Sequence, residues 1–214
     1  MKHAEFESSR AEVCLDAAAP TARVEPASPG RVEPSTPGRV VAIFRKMNEL
    51  ARYVVDVPDF PSPGILFRDI SPLLRSHFAD TVRALDGLFS AAEWSAVDAV
   101  AGVESRGFVL AAALAILHGK GFVPVRKKGK LPPPVLDIAY DLEYGAGVLE
   151  MQPGTGRILL IDDVLATGGT LLAAAPLCEL AGYTVTGIGV LIDIGLIRDF
   201  SWHGLPARKV IHYG

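Results

Sequence analysis

Cysteine and long apolar runs are scarce in this chain, and their scarcity excludes several classes of protein. There are two cysteines among 214 residues, Cys14 in an expected tail and Cys178 in an expected buried helix, so we expect neither a disulfide nor a cysteine metal site. No apolar run reaches the ~20 residues of a membrane-spanning helix, and the N-terminus lacks a basic region followed by an apolar one. We therefore expect a cytoplasmic protein without a membrane partner.

A large excess of basic residues is also absent. The chain has 21 Lys and Arg against 24 Asp and Glu, a formal charge of −3, which argues against a broad nucleic-acid-binding surface. Its basic cluster, Arg126–Lys130, indicates a local anion site. The histidines are scattered, and none forms a metal-ligand pattern with a cysteine or a carboxylate. The sequence thus predicts small anionic ligands and no nucleic-acid partner.

Residues 1–45 differ in composition from the remainder of the chain. They contain an eight-residue near-repeat, Arg23–Gly30 and then Arg31–Gly38, rich in Pro, Ser and Gly. Because such a composition cannot build a packed core, we expect a disordered extension over 1–45 and one domain over 46–214. Two alternatives stay open: the extension docks on a partner as a peptide, or translation starts at Met47.

From residue 46 onward, helical and strand patterns alternate. Helices are expected at 46–55, 76–92, 105–118 and 169–181, and strands at Val97–Gly102, Phe122–Arg126, Arg157–Asp162, Val185–Ile192 and, at one edge, Lys209–Tyr213. This alternation predicts an α/β fold with an open, mostly parallel sheet flanked by helices. Ligands of such sheets bind beyond the carboxyl ends of the strands.

Residues 158–172 carry the most informative pattern. Four branched apolar residues, Ile158–Ile161, predict a strand buried on both faces, and two carboxylates, Asp162 and Asp163, follow. The turn Ala166–Thr170, which we call the phosphate turn, precedes a helical stretch. Strand, glycine turn and helix together aim backbone N–H groups and the positive helix end at a phosphate.

The residues around the phosphate turn exclude two familiar nucleotide motifs. A Walker A loop requires a lysine after its glycines, whereas Thr170 and Leu171 follow here, and the Gly-x-Gly-x-x-Gly dinucleotide pattern is also missing. Paired carboxylates beside a phosphate site suit a ligand that carries hydroxyls near its phosphate, such as a ribose 5-phosphate.

The pattern resembles the phosphoribosyl-diphosphate (PRPP) signature of the type I phosphoribosyltransferases. Four further motifs in order extend the resemblance, over about residues 47–192, to the adenine phosphoribosyltransferase family: residues 56–74 (the hood), Ala101–Phe108, Phe122–Pro132 and Tyr140–Gly145. The resemblance implies an open sheet with an N-terminal hood and a flexible hairpin flap over about residues 128–150.

The resemblance also implies roles for individual residues. The base site consists of Leu66, Phe67 and Arg68. The pyrophosphate site, which includes the loop Glu104–Gly107, uses Arg106, Arg126, Lys127 and Lys130. The 5-phosphate is bound by Ala166, Thr167, Gly168, Gly169 and Thr170, and the ribose hydroxyls by Asp162 and Asp163, which are also expected to act in catalysis. Two flap residues are further catalytic candidates: Glu143 manages the purine N7 proton, and Tyr144 covers the site.

The residues themselves allow simpler interpretations of two motifs. The hood can be a proline-rich turn that ends in a surface pair of Arg68 and Asp69, and Ser105 can be a helix cap beside an exposed Arg106. The sequence also differs from the family at Asp193, where many relatives carry Glu. The stretch 194–206 is unusual as well, which leaves the dimer geometry there open.

The reaction that the resemblance implies is the formation of AMP and pyrophosphate from adenine and PRPP, a step of purine salvage. Mg²⁺ is the expected cofactor, bound mainly through PRPP without a fixed protein site, and a homodimer is expected. Two alternatives are weighed: a phosphoribosyltransferase for another base, against which the hood argues, and a non-catalytic PRPP or nucleotide sensor. The sensor interpretation lacks a helix-turn-helix pattern or an obvious lesion in the motifs.

Overall fold

The computed structural model describes residues 49–142 and 145–214, and the side chains of 141–146 are outside the description. The expected extension over 1–45 lies outside the described residues. Of the helix expected over 46–55, the described part is helical only to Ala51, because the chain turns there and enters a strand at Val55.

Besides the helical residues 49–51, the described chain contains ten strands and four helices. The strands are β1 (Val55–Pro58), β2 (Leu66–Asp69), β3 (Ala99–Val103), β4 (Gly121–Lys127), β5 (Leu136–Leu142), β6 (Gly145–Met151), β7 (Gly156–Leu165), β8 (Tyr183–Asp193), β9 (Ser201–Trp202) and β10 (Leu205–His212). The helices are α1 (Ser71–Asp86), α2 (Ala91–Ala96), α3 (Arg106–Leu117) and α4 (Gly169–Leu180). None of these helices combines the length and the hydropathy that a membrane span requires.

Eight strands form one sheet in the order β5-β6-β4-β3-β7-β8-β10-β9. Its central strands, from β4 to β10, run parallel, whereas β5, β6 and β9 pair antiparallel at the two ends. Strands β1 and β2 form a separate two-stranded sheet within the hood. The prediction of a mostly parallel α/β sheet is confirmed.

Both faces of the sheet are covered, as the uninterrupted apolar character of β7 predicts. Successive residues of a strand point to opposite faces. Leu159 and Ile161 therefore join the core beneath α1 and α3, while Ile158 and Leu160 join the core beneath α4. Cys178 of α4 is fully buried in the second core, as predicted.

The helix expected over 76–92 is wrong at both ends. Helix α1 begins earlier because Pro72 fits the first turn, where its missing N–H is not needed, and it is followed by Gly87 as its C-cap. A separate α2 then begins at a capping box, in which Ser90 Oγ accepts from Glu93 N at 3.3 Å and Ser90 N donates to Glu93 Oε2 at 2.7 Å.

Two strand predictions are also corrected. Strand β7 continues to Leu165, beside β8, so that Asp163, which lies beyond the predicted end of the strand at Asp162, is also part of it. The last strand begins at Leu205 and pairs with β8 on one side, while the short β9 occupies the edge of the sheet. The expected helices 105–118 and 169–181 match α3 and α4 closely.

Candidate active site

A cavity of about 410 Å³ lies between the hood and the carboxyl ends of the parallel strands. The hood provides one wall, and residues that follow β3, β7 and β8 provide the other. The lining residues are Gly64, Ile65, Leu66, Phe67, Arg68, Arg106, Val164, Ala166, Ile194 and Leu196. The structure therefore brings the three predicted base-site residues to one cavity, together with apolar side chains that the sequence analysis had not selected.

The phosphate turn forms a second, smaller concavity of about 50 Å³, which Val164–Leu171 line. Gly168 has a φ of +79°, and a Cβ there would lie 2.7 Å from Ile197 Cδ1, so both conformation and space require glycine. The first N–H groups of α4, which starts at Gly169, have no intrahelical acceptor. The turn therefore presents free donors at a positive helix end, as the sequence predicts.

Asp162 is buried against the start of α3. Its Oδ1 accepts from Asp163 N at 2.8 Å, and a Cβ on Gly107 would come within 3.0 Å of the same oxygen. Burial raises the pKa of Asp162 well above its usual range, and the neighbouring Asp163 charge adds to this shift. Asp162 is thus placed to fix the local backbone, whereas Asp163 is the more accessible carboxylate.

Arg106 connects Asp163 to the hood. Its Nη2 lies 2.6 Å from Asp163 Oδ2, its Nη1 donates to the Arg68 carbonyl at 3.3 Å, and its guanidinium lies 5.0 Å from the centre of the Phe67 ring. The residue predicted for pyrophosphate therefore borders the base cavity as well. Ser105, at the N-cap of α3, forms no side-chain capping bond, which contradicts the capping interpretation.

The surface pair proposed between Arg68 and Asp69 is also wrong. Arg68 forms an ion pair with Asp56, its partner across the β1–β2 register, and its guanidinium lies 4.1 Å from the centre of the Tyr213 ring. Asp69 instead accepts from Ser71 N at 2.8 Å, and the hydrogen bonds with Ser71 lower its pKa. The hood is therefore held by contacts to other elements.

The basic cluster is organised around Glu104. Glu104 Oε2 accepts from Arg126 Nε at 3.0 Å and from Lys127 N at 3.1 Å, and Arg126 Nη1 donates to the Lys130 carbonyl at 3.2 Å. Within the described chain, the exposed side chains of Lys127 and Lys130 form no ion pair with a carboxylate. Two of the predicted anion ligands are therefore available to a ligand, while Arg126 is already paired.

Glu150 is a functional candidate that the sequence analysis missed. It is only 3% exposed, and its carboxylate accepts from the N–H groups of Gly129, Lys130 and Leu131 at 2.8, 2.6 and 2.6 Å. The bond from Gly129, with those from the other two donors, lowers the pKa of Glu150. In the sequence, Glu150 is the only charged residue in the otherwise apolar stretch Val148–Met151, and this is the signal that could have identified it. Its neighbour across the β4–β6 register is Arg126.

The flap is a hairpin of β5 and β6, paired from Leu136 with Met151 to Leu142 with Gly145, so its two extended arms are confirmed. Glu143 and Tyr144 lie outside the described residues. Tyr140 of β5 interacts with Thr170 of the phosphate turn, and burial raises the pKa of its phenol. Tyr140 belongs to the Tyr140–Gly145 motif that carries the resemblance, but no local pattern in the sequence distinguishes it as a site residue.

Comparison with known proteins identifies the class of enzyme to which the chain belongs. A model of the phosphoribosyl transferase domain matches residues 80–195, a range that includes α3, the flap, the phosphate turn and β8. The adenine phosphoribosyltransferase of Hydrogenovibrio crunogenus is 53% identical over 169 residues, which are 78% of this chain and 98% of that protein. That of Bdellovibrio bacteriovorus is 46% identical, over 77% of this chain and 99% of that protein.

Solved structures show the same relationship. The adenine phosphoribosyltransferase of Rhodothermus marinus superposes with a TM-score of 0.69 at 40% identity and covers 78% of this chain and 98% of its own. The Saccharomyces cerevisiae enzyme, solved with an imino-altritol bisphosphate and adenine, has a TM-score of 0.64 at 30% identity, over 78% and 98% of the two chains. The chain belongs to the adenine phosphoribosyltransferase family and is a pentosyl-transferring enzyme of purine salvage. The comparisons lend no support to the other-base or sensor alternatives.

Proposed function

We propose that the chain forms AMP and pyrophosphate from adenine and PRPP, with the residues of the two adjoining cavities as its site. The supporting observation is that Val164 and Ala166 line both the large cavity and the phosphate turn. A ligand with a phosphate at one end and a base at the other can therefore occupy both. The yeast relative was solved with a bisphosphate and adenine together, which supports the same division.

In this proposal the 5-phosphate is bound by Ala166, Thr167, Gly168, Gly169 and Thr170. The N–H groups at the start of α4 and the threonine hydroxyls donate to its oxygens. The hood residues Leu66, Phe67 and Arg68 bind adenine in the large cavity, where rigid main-chain groups recognise its polar edge at little entropic loss. The phenol of Tyr140, beside Thr170, adds a contact from the flap to the phosphate end.

The two aspartates have different roles at the ribose site. Asp163 accepts from the ribose hydroxyls, and Asp162 holds the backbone of Asp163 in place through the 2.8 Å bond. As the bond from C1 to pyrophosphate breaks, the sugar gains positive charge. A fixed carboxylate nearby stabilises this charge without reorganisation.

The leaving pyrophosphate is bound by Arg106, Lys127 and Lys130. Arg106 exchanges its contact with Asp163 for the pyrophosphate oxygens, and the two exposed lysines supply charge-assisted bonds. Arg126, held by Glu104, fixes the shape of this loop and adds positive potential. Adenine N9 attacks C1 from the face opposite to the leaving group, Glu143 accepts the proton that the purine loses from N7, and Tyr144 covers the site.

Magnesium fits this arrangement as an ion bound mainly through PRPP. Among the described residues, no three His, Cys, Asp or Glu side chains come together as a metal site. The carboxylate of Asp163, the proposed ribose ligand, provides hard oxygen atoms that could contribute to binding the ion. Bound there, the ion would supply positive charge that neutralises the pyrophosphate.

A homodimer in the cytoplasm is the proposed form of the enzyme. Helix α3 carries three exposed apolar side chains, Val109, Ile116 and Leu117, and Ile116 is 83% exposed. A second copy that covers this face would remove them from water. Light scattering on Ile116→Asp tests this, since the variant should be monomeric, and a monomeric unmodified protein would refute the proposal.

The reaction itself is tested by incubating the protein with adenine, PRPP and Mg²⁺ and measuring AMP and pyrophosphate. Equal amounts of the two products are expected, with little formed when Mg²⁺ is chelated. A folded protein that binds PRPP but forms no AMP would contradict the proposal and favour the sensor alternative.

A further inference from the structure

Tyr213, which follows β10, contacts residues of both walls of the base cavity. Arg68 belongs to the hood wall, and Ile194 and Leu196 belong to the wall that follows β8. His212, the last residue of β10, contacts Asp193 at the start of the second wall. The match to the phosphoribosyl transferase domain model ends at residue 195, so this segment lies beyond the range of that model.

Tyr213 contacts the hood wall through its ring. The guanidinium carbon of Arg68 lies 4.1 Å from the ring centre, within the range of a cation–π interaction. The carbonyl of the same Arg68 accepts from Arg106. The ring therefore supports the hood residue at the point where the hood meets the sheet.

The backbone of Tyr213 contacts the opposite wall. Its N–H donates to the Asp193 carbonyl at 2.8 Å. Its carbonyl lies so close to Gly195 that a Cβ on that glycine would come within 2.2 Å of the oxygen, and Gly195 has a φ of +74°. The wall segment that contains Ile194 and Leu196 is therefore in direct contact with the backbone of Tyr213.

Asp193 connects this segment to β10 through its side chain. The residue is 2% exposed. Its Oδ1 accepts from Gly195 N at 2.9 Å, and its Oδ2 lies 2.5 Å from Lys209 Nζ and 3.1 Å from His212 Nδ1. A buried carboxylate that contacts a lysine ammonium, an imidazole and a backbone donor is well satisfied, so it holds the wall at a fixed distance from β10.

We propose that Tyr213 and Asp193 are positioning residues for the nucleobase, because together they set the separation between the hood and the Ile194–Leu196 wall. The inference rests on the proposed base site. Loss of either contact lets the walls move apart and weakens adenine binding. The phosphate turn packs against Ile197, but it is built by the start of α4, which neither Tyr213 nor Asp193 contacts, so PRPP binding should change less than adenine binding.

The test compares steady-state constants of Tyr213→Leu, Tyr213→Phe and the unmodified enzyme. Tyr213→Leu should raise KM for adenine by about threefold to tenfold, the range expected for a partly exposed cation–π contact, and change KM for PRPP by less than about twofold. Tyr213→Phe keeps the ring face and should restore the KM for adenine. Tyr183→Leu, at the amino-terminal start of β8, is the matched control and should leave both constants unchanged.

A second variant keeps the test decisive if Tyr213→Leu fails to fold. Lys209→Met removes one cationic partner of Asp193 from a side chain that is 42% exposed, and it should give a smaller rise in KM for adenine alone. An unchanged KM for adenine in the folded variants would overturn the inference, as would an equal rise for adenine and PRPP or a Phe variant as impaired as the Leu variant. An unmodified protein inactive with adenine would instead overturn the proposed function.

Discussion

The guanidinium of Arg106 lies 2.6 Å from the carboxylate of Asp163, and this pair joins two sites that the proposed reaction keeps distinct. One partner is the candidate ligand of pyrophosphate, and the other is the candidate ligand of the ribose. Both side chains are largely shielded from water, so their attraction is screened less than that of a surface pair. PRPP, which carries both groups, can replace this contact with one at each end.

Asp163→Asn should lower kcat/KM for PRPP by about 10-fold to 100-fold, because a charged acceptor is worth roughly 1.5–3 kcal/mol in such a bond. Steady-state kinetics at saturating adenine measure this change. Asp98→Asn is the matched control, since Asp98 pairs with Arg157 on the surface and accepts from its backbone, away from both cavities. Near-normal activity of a folded Asp163→Asn would remove the ribose assignment.

Gly168→Ala should weaken PRPP binding strongly. The added methyl group meets Ile197 at 2.7 Å, and a left-handed conformation costs a residue other than glycine about 1–3 kcal/mol. Isothermal titration calorimetry with PRPP measures the loss of affinity.

Gly119→Ala is the matched control, because it places an alanine at a positive φ without a steric clash and outside the phosphate turn. Gly119 also has a positive φ, of +59°, but a Cβ there would meet nothing within 4 Å. It should therefore lose some stability and keep PRPP affinity. If both variants bind PRPP normally, the phosphate turn is assigned wrongly.

Glu150→Gln should loosen the loop that carries Lys127 and Lys130. The amide offers one acceptor oxygen where the carboxylate serves three N–H donors, and a buried unsatisfied group costs about 1–3 kcal/mol. We expect a lower free energy of unfolding and a raised KM for PRPP. Asp137→Asn, which breaks an exposed pair with Lys128, is the control in the same hairpin and should change neither quantity.

The stability of the protein should depend on pH through Glu93. Its bond with Arg208, and further bonds with Ser90, lower its pKa from 4.5 to about 2. A carboxyl group whose pKa is lowered by folding stabilises the fold above its unfolded pKa and loses that contribution as the pH falls towards the folded pKa.

Urea unfolding of the unmodified protein and of Glu93→Gln measures this effect. The unmodified protein should be more stable above about pH 4.5, by a margin that solvent screening reduces, and the difference should shrink between pH 4.5 and 2. A difference that persists unchanged at pH 2 would assign the effect to packing instead of charge.

The parts of the site that follow one another in sequence could be predicted, and the parts that meet only in the fold could not. The phosphate turn is contiguous, so the strand, the glycines and the helix after Ala166 revealed its geometry. The bonds from Glu150 to the basic loop and the contact of Arg68 with Tyr213 join residues that are far apart in the chain. No local pattern encodes such contacts.

The differences between the predicted and the observed bounds of helices and strands also have local and non-local causes. Helix α1 starts earlier than predicted because Pro72, which lies within the hood motif, suits a first helical turn. The extension of β7 beyond Asp163 depends on β8, which continues beside it to Asp193. Polar residues at the end of a strand do not show whether a neighbouring strand continues to pair with them.

The most direct test of the proposed function is a comparison of kcat/KM for adenine, hypoxanthine, guanine and orotate with saturating PRPP and Mg²⁺. We predict product formation with adenine and a kcat/KM at least about 100-fold lower for each other base, since a buried polar group left unpaired by the wrong base costs several kcal/mol. Comparable values for adenine and another base would contradict the assignment of the hood as the site of base selection.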